Sequence, residues 1–225
     1  FLGLDFFYYW FHRASHEVNF LWAAHVVHHQ SEEYNLSVAL RQSAVQQFLG
    51  APFYWPLAFL GVPPMMFLAL DAFDTLYQFW IHTRTIGRLG FLDAVLNTPS
   101  NHRVHHGSNA KYIDRNHGGV LIVWDRLFGT YQREEEEPAY GVTRPLANWN
   151  PLWANVQYAG ELIAVARRTR RWRDKLFIFL KGPGWRPADV PFDNPPYTPL
   201  DGRKYDPRPP AGLSVPAVFQ FLLAM

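Results

Sequence analysis

The chain alternates between long apolar runs and short, strongly polar segments. Phe1-Leu-Gly-Leu-Asp-Phe-Phe-Tyr-Tyr-Trp-Phe11 is apolar but for Asp5, and residues 1–30 read as helical with a break near Asn19. Residues 31–41 form a polar connection. From Gln42 to Leu70 there is no charged residue and no histidine, a run of 29. A membrane span takes about 20 apolar residues, but Pro52, Pro56 and the Pro63-Pro64 pair rule out one straight helix. The run therefore predicts a hairpin of two short spans, 44–62 and 64–82, with its tip at Gly61-Val-Pro-Pro64.

Such a hairpin returns the chain to the side it left, so polar residues before and after it can meet. Arg13, Arg41, Arg84, Arg88, Arg103 and Arg115 all fall on that side, which the arginine bias marks as cytoplasmic. Glu134 to Glu137 reads as a solvated acidic loop. Residues 156–180 read as one amphipathic helix with a basic middle, Arg167-Arg-Thr-Arg-Arg-Trp-Arg-Asp-Lys175, serving as a solvated face or a contact for anionic lipid headgroups. Residues 182–212 hold nine of the 18 prolines and read as extended. The expected organisation is a membrane domain over 1–187, a Pro-rich linker over 188–212 and the start of a further membrane helix over 213–225. A chain starting at Phe1 and stopping inside an apolar run reads as a fragment, with N-terminal helices missing.

Composition sharpens this picture in three ways. Aromatic residues make up 17% of the chain, with nine Trp and eleven Tyr, residue types that favour the membrane–water boundary. The mean hydropathy of −0.17 averages apolar and very polar stretches and decides little. There is no cysteine, which excludes disulfides and thiolate metal sites, so any metal must sit on imidazole, carboxylate or carbonyl ligands. With a net charge of only +2, no nucleic-acid partner is expected.

The ten histidines carry the candidate chemistry. His12 and His16 are spaced i, i+4; His25, His28 and His29 form an HxxHH set; His102, His105 and His106 form a second. His82 stands alone with Gln78 one turn before it, and His117 follows by itself. Residues three and four apart on a helix share a face, so each HxxHH set can aim its first and last imidazoles, and often the middle one, at one point. Eight or nine histidines are too many for one ion and suit two. Zn, Cu, Fe and Ni all accept imidazole, so the ligand type leaves the metal open. Burying this many imidazoles without a metal would leave many polar atoms to satisfy. Gln78 reads as a weak ligand or an outer donor. Asp5, Glu17 and Asp74 read as carboxylates that orient imidazoles.

HxxxH, HxxHH and HxxHH on membrane-associated helices resemble the fatty acid hydroxylase/sterol desaturase superfamily. The strings Asp5-Phe-Phe-Tyr-Tyr-Trp-Phe-His-Arg-Ala-Ser-His-Glu17, Tyr77-Gln-Phe-Trp-Ile-His-Thr83, Leu96-Asn-Thr-Pro-Ser-Asn-His-Arg-Val-His-His-Gly107, Trp124-Asp-Arg-Leu-Phe-Gly-Thr130 and Lys181-Gly-Pro-Gly-Trp185 are similar to its alkylglycerol monooxygenase branch. The resemblance implies an all-α, multi-helix integral membrane protein with a cytosol-facing, histidine-rich di-metal cap. It also implies a non-haem di-iron centre that uses O2 to hydroxylate a lipid C–H bond, next to the ether oxygen in alkylglycerols. His12, His16, His25, His28, His29, His102, His105 and His106, together with His82, are the iron ligands and catalytic residues it implies; His117 matches no motif. Two iron ions are the implied cofactors. Tetrahydrobiopterin or an electron-donor protein would supply electrons, with membrane lipids as surroundings. The membrane would be the bacterial inner membrane or the endoplasmic reticulum. Two other readings stay open: a fatty acyl, sterol or carotenoid hydroxylase or desaturase of the same superfamily, and a non-catalytic membrane protein holding structural zinc.

Overall fold

A computed structural model of the chain describes residues 1–192. The Pro-rich linker beyond Phe192 and the expected helix over 213–225 lie outside the described residues. The fold is helical; among the described residues the one trace of sheet is an isolated antiparallel bridge between Leu96 and Leu121.

Helix α1, Leu2–Glu17, stops at Val18, whose extended backbone (φ −125°, ψ 116°) turns the chain directly into α2, Asn19–His29. The break expected near Asn19 is therefore real, and it is fixed from outside. The Asn19 backbone N–H donates to the Lys181 carbonyl at 2.9 Å, and its side chain donates to Gly182 O and accepts from Tyr158 Oη. Helix α3, Leu36–Ala39, is one turn within the polar connection, capped by the Asn35 side chain on Ser37 N.

The uncharged run does fold back on itself. Its first leg breaks into α4, Gln46–Gly50, a 3-10 turn, Ala51–Tyr54, and α5, Trp55–Phe59. Pro52 and Pro56 sit at the start of the second and third pieces, where a proline needs no N–H partner. Gly61 takes the left-handed conformation (φ 80°) at the tip, and α6, Pro64–Ile81, returns. No described helix is long and apolar enough to cross a membrane, contrary to the two expected spans. The prolines fragment the first leg, and α6 carries Asp71, Asp74 and Gln78 from its middle onward. The outer surface of this hairpin is nevertheless apolar: Phe48, Trp55, Phe59, Leu60, Met65 and Leu76 are all exposed.

Short helices α7, Leu92–Val95, α8, Pro99–His105, and α9, Val123–Phe128, follow. The single amphipathic helix expected over 156–180 is two helices, α10, Pro151–Arg168, and α11, Trp172–Leu180. Asp189 makes the break: its carboxylate accepts from Thr169 Oγ1 and from the Arg170 backbone N–H, both at 2.8 Å. Leu162, Val165, Ile178 and Val190 form a small apolar core between these helices, with Ala23 of α2 packed against it.

The acidic run departs from the expected solvated loop at its first residue. Glu134 is bound at both carboxylate oxygens by Arg103 of α8, each at 2.7 Å, and accepts from Ser100 Oγ. Glu135 and Glu137 do stay exposed, pairing with Lys111 and Arg84.

Candidate metal centre

Four helices deliver nine histidines to one layer. Helix α1 places His12 and His16 on one face, and α2 presents His25, His28 and His29 at its C-terminal end. His82 caps the C-terminus of α6, and α8 carries His102 and His105 with His106 at its C-cap. Pro99 starts α8, and Thr98 and Asn101 tie its first turn to Asp93 by the Asp93 carboxylate and carbonyl. All nine are buried, none more than 7% exposed.

They sort into two groups, within each of which ligand nitrogens lie within 4.8 Å of one another: His12, His16, His25, His29 and His105, and His28, His82, His102 and His106. The first and last members of each HxxHH set share a group, as their spacing implies. The middle member crosses to the other group: His28 leaves His25 and His29, and His105 leaves His102 and His106. Each set thus binds the two groups into one centre.

The outer nitrogens show which atoms face inward. Nδ1 of His12, His28, His82 and His105 meets the backbone carbonyls of His117 (2.8 Å), Arg41 (3.2 Å), Gln78 (2.6 Å) and Arg115 (2.9 Å). A carbonyl can only accept, so these Nδ1 atoms carry the proton and Nε2 holds a lone pair when the ring is neutral. His25 makes the same outward contact with Gln46 Oε1 at 3.1 Å. This is how metal-binding imidazoles are held in one tautomer and orientation.

Burial keeps the rings neutral. It pushes His28 down to about 4 and His105 down to about 3, the neighbouring carbonyls opposing it, and holds His25, His29, His102 and His106 well below the usual imidazole range. Nε2 atoms then meet at distances where both offer lone pairs, His12 and His25 at 3.0 Å and His28 and His82 at 3.2 Å, and His102 Nε2 lies 3.0 Å from His82 Nε2. Nε2 of His16, His105 and His106 is buried with no hydrogen-bond partner. Converging lone pairs and orphaned nitrogens in a buried site are what a cation would satisfy, so the residues present fit two metal ions.

The carboxylates expected to orient imidazoles do other work. Asp5 accepts from the backbone N–H groups of Val120 and Leu121 and from Trp124 Nε1, tying α1 to the segment that follows Gly118-Gly119. Glu17 pairs with Arg13, and Asp74 accepts from Gln78 Nε2. The Gln78 side chain is thereby held between Asp74 and Tyr8 Oη, while its main-chain carbonyl orients His82. Backbone carbonyls replace the expected carboxylates because the helix ends and loops around the layer leave carbonyls free.

Two acids were not singled out. Asp114 lies 3.5 Å from His16 Nδ1. Asp125 accepts from the backbone N–H of His117 and Gly118 and from Thr130 Oγ1, shaping the loop whose His117 carbonyl holds His12. The Trp124-Asp-Arg string was the signal for it. The His117 side chain is fully buried, with its ring 5.1 Å from that of His16, but it belongs to neither group.

Comparison with known proteins adds to this geometry. Residues 1–130 match the family model for fatty acid hydroxylase. The chain is 45% identical to alkylglycerol monooxygenase of Xenopus tropicalis over 228 residues, which covers 100% of this chain and 51% of the relative. It is 49% identical to alkylglycerol monooxygenase of Homo sapiens over 188 residues, 84% of this chain and 42% of the relative. An ornithine lipid hydroxylase of Rhizobium tropici is 31% identical over 141 residues, 58% of this chain and 40% of the relative. The chain thus spans about half the length of these relatives or less. No solved structure matches.

Proposed function

Since the chain belongs to the fatty acid hydroxylase family, we propose that it is the metal-holding part of a membrane-bound, O2-dependent lipid hydroxylase. Its substrate would be an alkylglycerol and the carbon attacked the one beside the ether oxygen. The observation that carries the reading is the pair of histidine groups with inward lone pairs, on a chain 45–49% identical to two alkylglycerol monooxygenases.

His12, His16, His25, His29 and His105 would hold one iron, and His28, His82, His102 and His106 the other. Two irons bound there supply the O2 chemistry. Imidazole alone would also suit zinc; the oxygenase relatives favour iron. The net change is one oxygen atom of O2 into the C–H bond and the other into water, with two electrons and two protons from a reductant. The resulting hemiacetal breaks its C–O bond to give an aldehyde and a glycerol lipid. Tetrahydrobiopterin, by the same resemblance, is the proposed electron donor.

The chain's own residues hold and orient. The carbonyls of His117, Arg41, Gln78 and Arg115 keep four imidazoles in the metal-binding tautomer. Burial of all nine rings shields the metal-binding nitrogens from bulk solvent. The exposed apolar side chains of α5 and α6 support contact with lipid; on this reading the hairpin would lie in the membrane and the histidine layer on the arginine-rich, cytosolic side.

The test uses the full-length protein in detergent, iron-loaded, with O2, an alkylglycerol and tetrahydrobiopterin. About two irons per chain and pterin-dependent aldehyde release are expected. Turnover of fatty acyl or sterol lipids alone would keep the hydroxylase and reject the ether substrate. Tightly held zinc with no turnover after iron loading would reject catalysis.

A further inference from the structure

A cavity of about 390 Å³ reaches the histidine layer from the flank formed by α2 and α10. His16, His29, His105 and His106 border it, so it touches both histidine groups, and no residue of α4–α6 lines it. Trp22, Val26 and Ile113 give its walls apolar surface. Arg144, Glu161, Arg186 and Phe192 line it as well.

Arg186 is the unusual member. Its side chain is 6% exposed, and Nη2 is paired with Glu161. Its guanidinium lies over the Phe192 ring, 4.5 Å from the centroid, with that of Arg144 3.9 Å from the same ring. Arg186 Nη1 is buried and has no hydrogen-bond partner. A buried guanidinium N–H without an acceptor is costly, and Arg186 is one of the residues that line the cavity.

Arg144, Glu161, Arg186 and Phe192 lie beyond residue 130, where the match to the fatty acid hydroxylase family model ends, but the Xenopus tropicalis alkylglycerol monooxygenase aligns over the whole chain. This part of the cavity is thus in the region shared with that relative and outside the family-model match.

We infer that this cavity seats the polar glycerol head of the lipid, with Arg186 Nη1 donating to one of its oxygens. The inference rests on the alkylglycerol reading above and identifies the residue that selects its substrate. Oxidation beside an ether oxygen constrains where the head can lie. The reacting carbon is one bond from that oxygen and the glycerol carbons follow at once, so the head must abut the metal ligands. A cavity lined both by histidines of the two groups and by a residue with an unmatched donor meets that demand. A fatty acyl chain or sterol oxidised many bonds from its polar group would need apolar walls throughout this space.

The experiment measures binding and turnover of 1-O-hexadecylglycerol by the full-length, iron-loaded protein, with Trp fluorescence under anaerobic conditions giving Kd. Losing one charged donor to a neutral acceptor weakens binding roughly 10- to 100-fold. Arg186→Gln is therefore expected to raise Kd and KM for 1-O-hexadecylglycerol by that factor. The KM for the reductant, and Kd for methyl hexadecyl ether, which lacks the hydroxyls, should not move. Gln157→Leu, a milder change on the same lining, should act in the same direction if Arg186→Gln fails to fold. Unchanged affinity for hexadecylglycerol in the folded variants, or a rise confined to the reductant's KM, would overturn the inference while leaving wild-type ether turnover, and the proposed function, intact. A wild type that neither binds nor oxidises the ether lipid would overturn both.

Discussion

His28 and His82, 54 residues apart, point their Nε2 atoms at each other across 3.2 Å, and each has its Nδ1 committed to a backbone carbonyl, Arg41 for one and Gln78 for the other. Two neutral imidazoles so committed have no proton to share. The contact between their lone pairs is repulsive, and a cation between them would relieve it. The stability of the layer is therefore expected to depend on metal.

The two groups are unequal, and their loss should be too. His102→Gln leaves three imidazoles in a group of four, whereas His105→Gln leaves four in a group of five. Metal content should fall from about two toward one per chain for His102→Gln and less for His105→Gln, with turnover lost in both. Metal analysis of the purified variants checks this; equal losses would mean that the grouping is wrong.

Orientation from outside should matter nearly as much as ligation. Gln46 Oε1 is the partner of His25 Nδ1 at 3.1 Å. Losing such an outer partner typically costs about 10- to 100-fold in metal affinity or activity, so Gln46→Leu is expected to do so while Gln46→Glu retains binding. Competition with a chelator of known affinity reads the difference, and no change in Gln46→Leu would reject the orienting role.

Most of the centre is legible in the sequence. Nine histidines at spacings of three and four form a layer, and first and last members of each HxxHH set do share a group. Their division is not legible, because it depends on how α2 and α8 face each other and not on either helix alone. The same limit explains Asp5 and Glu17: their sequence proximity to His12 and His16 suggested imidazole partners, but folding offers Asp5 the N–H groups of a loop 115 residues away and Glu17 a neighbouring arginine. The hairpin tip at Gly61 follows from the Pro63-Pro64 pair, whereas the break after Arg168 depends on Asp189, which no local pattern links to Thr169.

Acid should destabilise the metal-free chain. Unfolded histidines titrate near 6.5, whereas folded His28 and His105 sit at about 4 and about 3 because burial disfavours their charged forms. Between these values the unfolded chain binds more protons, so stability falls as pH falls below 6.5 and is unaffected above it. At pH 5.5 each of the two contributes on the order of 1 kcal/mol of loss. Thermal melts of the apo-protein at pH 7.5 and 5.5 should show a lower Tm at the acid value; identical melts would contradict the burial of these rings.

Glu134 should prove structural despite opening an acidic run. It is the carboxylate on Arg103, whose side chain is 8% exposed and which also donates to the Thr83 and Ile86 carbonyls. Removing one partner of a buried pair costs about 3–5 kcal/mol, but replacing both by apolar groups costs far less. Glu134→Ala is expected to lower stability by about 3 kcal/mol and to loosen α8, and with it metal binding by His102, His105 and His106. The double variant Arg103→Met with Glu134→Leu should recover much of the loss. Denaturant unfolding of both variants decides it, and a Glu134→Ala protein as stable as wild type would show the pair to be incidental.

His117 separates a histidine's backbone from its side chain. Its carbonyl holds His12 Nδ1 at 2.8 Å, but neither of its own buried ring nitrogens has a hydrogen-bond partner, and the ring joins neither group. A buried polar group without a partner costs about 1–3 kcal/mol, and an apolar ring of similar shape avoids that cost. His117→Phe keeps the carbonyl and deletes the two unmatched nitrogens. It is expected to retain two metals per chain and to be as stable as wild type or more so, by about 1 kcal/mol, in thermal melts of the metal-loaded protein. Loss of one metal instead would make the His117 side chain a ligand of the five-histidine group, and the orphaned nitrogens would then belong to the centre itself.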